Sequence, residues 1–283
     1  MTRVLAGAAD NAAVVLYDGE VLSDSATPVT VRVTDDAGAE VLPASTVATH
    51  DETGVYSVAL TPVMTARLDA LHFEWAVTLR GAGQVLRTDV EIVGGFYTHL
   101  ARLRTLPDLH DPIKHPAARL ASVRNWAETT IERFLGVAYV PRYRRDVLDG
   151  NGHPAVPLTQ LYPREIRRGW IDGTTADVAD WGLHPSGYVV RIGGGTFPRG
   201  VGNVRVDYTH GHDGPPYDLI QACETLIRWR MLEDRSALPD RRLAVTNEFG
   251  NVALATAGPN RPTGIPDVDA VLLAYREHRL VLA

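Results

Sequence analysis

His210, His212 and Asp213 place three potential metal ligands within four residues. A metal site of this kind needs further ligands and hydrogen-bonded groups that orient them. The chain offers no spaced His-Glu or His-Asp partner motif, so the stronger reading is a polar turn that caps the helix after it. Gly193-Gly194-Gly195 resembles a phosphate cradle only in its glycines, lacking the Lys-Ser/Thr of a P-loop and the spacing of a dinucleotide fold. A hairpin turn explains it better. The single cysteine, Cys223, excludes an intramolecular disulfide and a Cys-based metal cluster. There is no Gly-x-Ser-x-Gly elbow and no recognisable carboxylate pair, and the scattered Asp and Glu residues read as solvated surface. No enzyme is expected, with no catalytic, cofactor-binding or metal-ligating residue.

The elements that would position such residues centre on 203–235. Val204, Val206 and Tyr208 alternate with Arg205, Asp207 and Thr209, the period of a strand. Gly211, Gly214, Pro215 and Pro216 then break the ladder, and Pro216 suits the first turn of a helix, where a missing donor costs nothing. From there to about Asp234, Leu219, Ile220, Cys223, Leu226, Ile227 and Met231 recur at three- and four-residue steps as one apolar stripe.

This strand, Pro turn and helix, VRVDYTHGHDGPPYDLIQACETLI, resembles that of the head-tail connector proteins, or head-to-tail adaptors, of tailed phages, over about residues 115–283. The resemblance implies a ring, usually dodecameric, under the portal, through which the genome enters the tail. It also implies as partners other copies of the chain, the portal, the next neck or tail protein (a stopper or tail terminator), and DNA passing without sequence-specific binding. The place would be the virion neck, after assembly in the host cytoplasm, and no cofactor or membrane is implied. The minimal family pattern has no domain corresponding to the N-terminal part, for which decoration of the ring's outer face is the expectation.

The composition, 45% hydrophobic and 22% charged over 283 residues, is that of a globular chain long enough for two domains. No apolar run approaches the roughly 20 residues that span a bilayer, and the N-terminus lacks a full signal-peptide core, so export by that route is not expected. Residues 1–93 hold 5 arginines against 13 carboxylates, a formal −8, within a total of −6. Neither part has the basic footprint of a DNA-binding module.

Residues 12–93 read as short strands with frequent turns: Val29 to Thr34, Glu40 to Leu42, Tyr56 to Leu60, Phe73 to Leu79 and Val85 to Val93. This predicts an immunoglobulin-like antiparallel β-sandwich whose core rests on Tyr56, Phe73 and Trp75. Met64 to Leu71 is ambiguous and could be a short helical crossover. Residues 94–115 read as a linker with a short helix around Thr98 to Leu106, so the sandwich at 1–93 should be separable from a module at 116–283. In that module Leu120, Val123, Ala127, Ile131 and Phe134 mark a helix stopped by Gly136. A small antiparallel sheet follows, from Tyr143 to Leu148, Glu165 to Ile171, Tyr188 to Ile192 and Val204 to Tyr208. The fold class is therefore α+β, with two domains.

Residues 240–265 lose helical periodicity, and at 26 residues they are long for a connector. Leu243, Val245, Asn247 and Phe249, then Val252 and Leu254, give strand-forming alternation on both sides of Gly250, a candidate segment for docking onto a neighbour's strand edge. A final helix carries Pro266, Asp267 and Asp269 in its first turn and Arg276, His278 and Arg279 in its last. Two alternatives belong to other classes. One is a carbohydrate- or surface-binding module using Tyr17, Tyr56, Phe73 and Trp75, fused to an oligomerisation domain. The other is a zinc-dependent hydrolase built on His210 and His212.

Overall fold

The structure, a computed structural model, describes residues 2–233, 244–247, 250–253 and 262–276. Its N-terminal strands are β1 (Thr2–Leu5), β2 (Asp10–Val15), β3 (Tyr17–Asp18), β4 (Val21–Leu22) and β5 (Thr30–Asp35). Next come β6 (Glu40–Val47), β7 (Thr49–Glu52), β8 (Val55–Leu60), β9 (Asp69–Leu79) and β10 (Ala82–Val93). Helices α1 (Leu100–Leu103) and α2 (Ala117–Leu135) lead to β11 (Arg142–Gly150), β12 (Ala155–Pro157), β13 (Pro163–Ile171) and β14 (Thr174–Ala176). Then follow β15 (Trp181–His184), β16 (Tyr188–Arg191), β17 (Gly200–His210) and α3 (Tyr217–Glu233). The short strands β18 (Ala244–Asn247) and β19 (Gly250–Ala253) precede α4 (Pro266–Ala274).

The α+β class is the observed one. In the N-terminal part, a sheet in the order β1-β10-β9-β5-β6 and a second in the order β2-β8-β7 bury a common apolar core. Phe73 and Trp75 stack within it, ring centroids 5.8 Å apart, and the Trp75 indole N–H donates to Thr88 Oγ1 at 2.9 Å. Strand β1, which no alternation in the sequence announced, pairs parallel to β10 and covers that edge. Met64 to Leu71 is not a helical crossover: turns give way at Asp69 to β9, and the buried Thr65 donates its hydroxyl to Ala8 O at 2.7 Å.

The four strands expected in one C-terminal sheet divide between two. One runs β11-β17-β13-β14 and the other β12-β16-β15, with the strand at Tyr188 in the second. Val204, Val206 and Tyr208 pack with Val189, Trp181 and Phe197 in the core they share. The compact units do not follow chain order either. Residues 1–95 cluster with 141–159 and 163–210, while 96–140, 160–162 and 211–283 form a second unit.

In that second unit α3 packs on α2 and α4. The expected stripe of α2 is there, with Leu120, Ala127 and Ile131 fully buried and Gly136 ending the helix at φ 75°. On α3, Leu219, Cys223, Leu226, Ile227 and Met231 are buried as the spacing predicts. Pro266 opens α4, while His278 and Arg279 lie outside the described residues. The segment read as a linker is packed: Tyr97, Leu103, Leu109 and His115 are buried. Tyr97 N–H donates to the buried Glu128 carboxylate at 2.8 Å, and Arg104 donates to the carbonyls of Leu109, Asp111 and His115. Apolar residues in that segment, spaced without a clear period, are what tie it into the helical core.

Candidate functional site

The strand that dominates the sequence, β17, is buried on both faces from Val206 to His210. Val204, Val206 and Tyr208 are inaccessible to solvent on one. On the other Asp207 is equally inaccessible and Thr209 is buried, contrary to the expectation that carboxylates lie at the surface. The ladder explains the arrangement, since Arg145 of β11 and Arg168 of β13 both stand opposite Asp207. Arg145 grips Asp207 through two parallel N–H donors, each 2.7 Å from a carboxylate oxygen, and Arg168 Nε donates to Asp207 Oδ2 at 2.9 Å. Such forked pairs are the strong form of ion pair, and a buried carboxylate requires them.

The same cations meet the acidic N-terminal part. Arg145 lies 3.2 Å from Asp36, and Arg168 lies 3.5 Å from Asp35 and 3.6 Å from Asp69. Tyr143 donates its phenol proton to Asp36 at 2.8 Å. Burial, reinforced by Asp207 and Asp36, pushes the Tyr143 phenol far above its ordinary 10.0, so it remains a donor. Burial raises the Asp69 carboxyl as well, against the pull of the Ala70 N–H, Arg167 and Arg168. The Asp35-Asp36 turn thus has a second task besides reversing the chain, as do three arginines of β11 and β13. A carboxylate inside an apolar strand run, with arginines in two other strand candidates, was the available signal. Chemically the seam offers neither a nucleophile nor an open cation site; what it does is hold β11, β13 and β17 to the turn after β5 and the start of β9.

The His210 to Asp213 turn is built by packing. Gly211 sits at φ 98°, where a Cβ would fall 2.5 Å from Val140 O and 2.9 Å from Ala138 O, so only glycine fits. Gly211 N–H donates to Tyr162 O and His212 N–H to Ala138 O, both at 3.0 Å. The His212 ring lies between Tyr139 and Tyr162, with centroids at 4.8 and 4.3 Å. Among the described residues no group of three or more His, Cys, Asp or Glu is arranged to hold a metal. Cys223 is fully buried, and its burial pushes the thiol well above its ordinary value.

The candidate docking segment contains a hairpin: Val245 faces Val252 and Asn247 faces Gly250, while Leu243, Phe249 and Leu254 lie outside the described residues. Among the described residues β18 and β19 pair only with each other. A two-stranded ribbon is marginal alone, and an unpaired strand edge is a template for strand addition. Of the aromatics considered for a sugar platform, Tyr56, Phe73 and Trp75 are core residues and Tyr17 alone is exposed. Among the described residues no helix is long and apolar enough to cross a membrane. No protein-family profile matches the chain, and no curated protein sequence matches it.

Proposed function

We propose that the chain is a structural virion protein, a head-to-tail adaptor that forms a ring below the portal of a tailed phage and joins capsid to tail. One observation carries this reading: β17, the glycine-proline turn and α3 follow one another along the chain in the order the adaptor resemblance implies, and α3 packs on α2 and α4. The β18–β19 hairpin, whose strands pair only with each other among the described residues, lies between α3 and α4 in the chain and is suited to extending a sheet of the portal or of a neighbouring copy. In this reading the two N-terminal sheets make an immunoglobulin-like sandwich fastened to the connector sheet by the Asp207 seam. The chain is no enzyme, carries no cofactor, and passes genomic DNA without reading its sequence. Burial of three of the four platform aromatics favours this over a sugar-binding module.

Electron microscopy of the purified protein with its cognate portal is the test. Rings of the chain seated on the portal are the expected result. Assembled particles in which copies make no lateral contact through residues 116–283 would refute it.

A further inference from the structure

Strand β13 pairs with β17 through two irregularities, and each falls on an arginine. Pro163 faces His210 and Glu165 faces Thr209, which leaves Arg164 as an inserted residue; Ile166 faces Tyr208 and Arg168 faces Asp207, which leaves Arg167 as another. A bulge releases a residue from the alternation of the sheet and re-aims its side chain, and bulges gather beside binding sites. Here both released arginines line one cleft of about 500 Å³, together with Arg67, Pro141, Glu165 and Thr209.

Its three guanidinium groups are held differently. Arg167 is set in place: it donates to Leu68 O, lies 3.7 Å from Asp69 and stands over the Tyr143 ring at 5.8 Å. Arg67 and Arg164 are exposed at the cleft, and Arg67 makes no hydrogen bond or ion pair among the described residues. The lining therefore brings three arginines and one glutamate to the cleft, with Arg167 also near Asp69. The volume falls within the range of small-ligand sites, about 300–1,000 Å³.

From this geometry we infer that the cleft binds an acidic peptide segment of a partner protein, whose carboxylates pair with Arg67, Arg164 and Arg167. Arginine forks match carboxylates and phosphates alike. Glu165 favours the peptide: it accepts hydrogen bonds from the backbone N–H groups that a peptide carries between its carboxylates, donors that a phosphodiester backbone lacks. Adaptor function is not assumed in this inference.

The test is fluorescence anisotropy of a labelled, end-capped hexaglutamate peptide titrated with the full chain. Saturable binding is expected, weakening as salt is raised from about 50 to about 200 mM because the contacts are charge pairs near the surface. The R67E/R164E double variant should bind about tenfold or more weakly, since it replaces two charge-assisted donors by like charges, while its far-ultraviolet circular dichroism and a cooperative melt should show that it keeps the parent's fold. R87E, a change of an exposed arginine on β10, should bind as the parent does. Absence of saturable binding, or equal binding by the parent and R67E/R164E, would overturn the inference. So would a single-stranded oligonucleotide of matched charge that binds more tightly than the peptide and loses affinity with the same double variant, which would assign the cleft to nucleic acid.

Discussion

The two faces of β17 are both buried around Asp207 and are closed by opposite means. On one, Val204, Val206 and Tyr208 meet the apolar residues of the neighbouring sheet; on the other, Asp207 is enclosed by Arg145 and Arg168, which reach on to Asp35, Asp36 and Asp69. Apolar burial stabilises in proportion to area and tolerates small losses. An ion-pair seam gains little net energy over an apolar one, because desolvation offsets attraction, but losing one partner strands the others in a dry site. The apolar face should therefore fail by degrees and the ionic face abruptly.

Removing the whole N-terminal part tests that contrast most severely. A chain beginning near Thr98 takes away Asp35, Asp36 and Asp69 and exposes the face of β11, β13 and β17 that they cover. We expect the strands of 141–210 to lose their cooperative melt and the protein to aggregate. A truncated chain with an intact near-ultraviolet circular dichroism spectrum and a single sharp transition would show that the seam is dispensable.

Within the full chain, Asp207→Ala leaves Arg145 and Arg168 without their central anion and should cost about 3–5 kcal/mol, read as a lower midpoint in urea. The matching change on the other face, Val206→Ala, removes two buried methyl groups and should cost about 2 kcal/mol. If the valine change were the costlier, the ionic face would be the more forgiving one. Combining D207A with R168A sharpens the comparison, because the double variant should be less unstable than the sum of the singles, the mark of a shared pair.

The smallest effect lies at the seam's margin. Burial works against charge on His72, yet hydrogen bonds to Asp89 at 2.8 Å and Asp36 at 3.0 Å outweigh it and raise its pKa above the ordinary 6.5. A group whose folded pKa is raised contributes fully below its unfolded pKa and loses that contribution as pH climbs through the folded value. His72→Gln should thus lower stability by about 0.5 kcal/mol near pH 6, in keeping with a half-exposed ion pair, and by less near pH 9. A loss that grew with pH would contradict the assignment.

Local spacing was enough to find α2, α3 and α4, because an apolar stripe at three- and four-residue steps has one good solution, and Gly136 and Pro266 mark its ends. Alternation likewise found β9 and β17, and the strand-forming halves around Gly250. What the sequence could not determine is which residues lie opposite one another across long stretches of chain. The pairing of β1 with β10, the division of the C-terminal strands between two sheets, and the packing of the segment before α2 all depend on contacts distant in sequence. Asp207 shows why: its one-dimensional neighbours are valine and tyrosine, as for any outward-facing strand residue, and only the registers of β11 and β13 put two guanidinium groups beside it. Arg164 and Arg167 are the counterpart case, two residues in an ordinary-looking strand that become bulges only because β17 continues past them without a matching insertion.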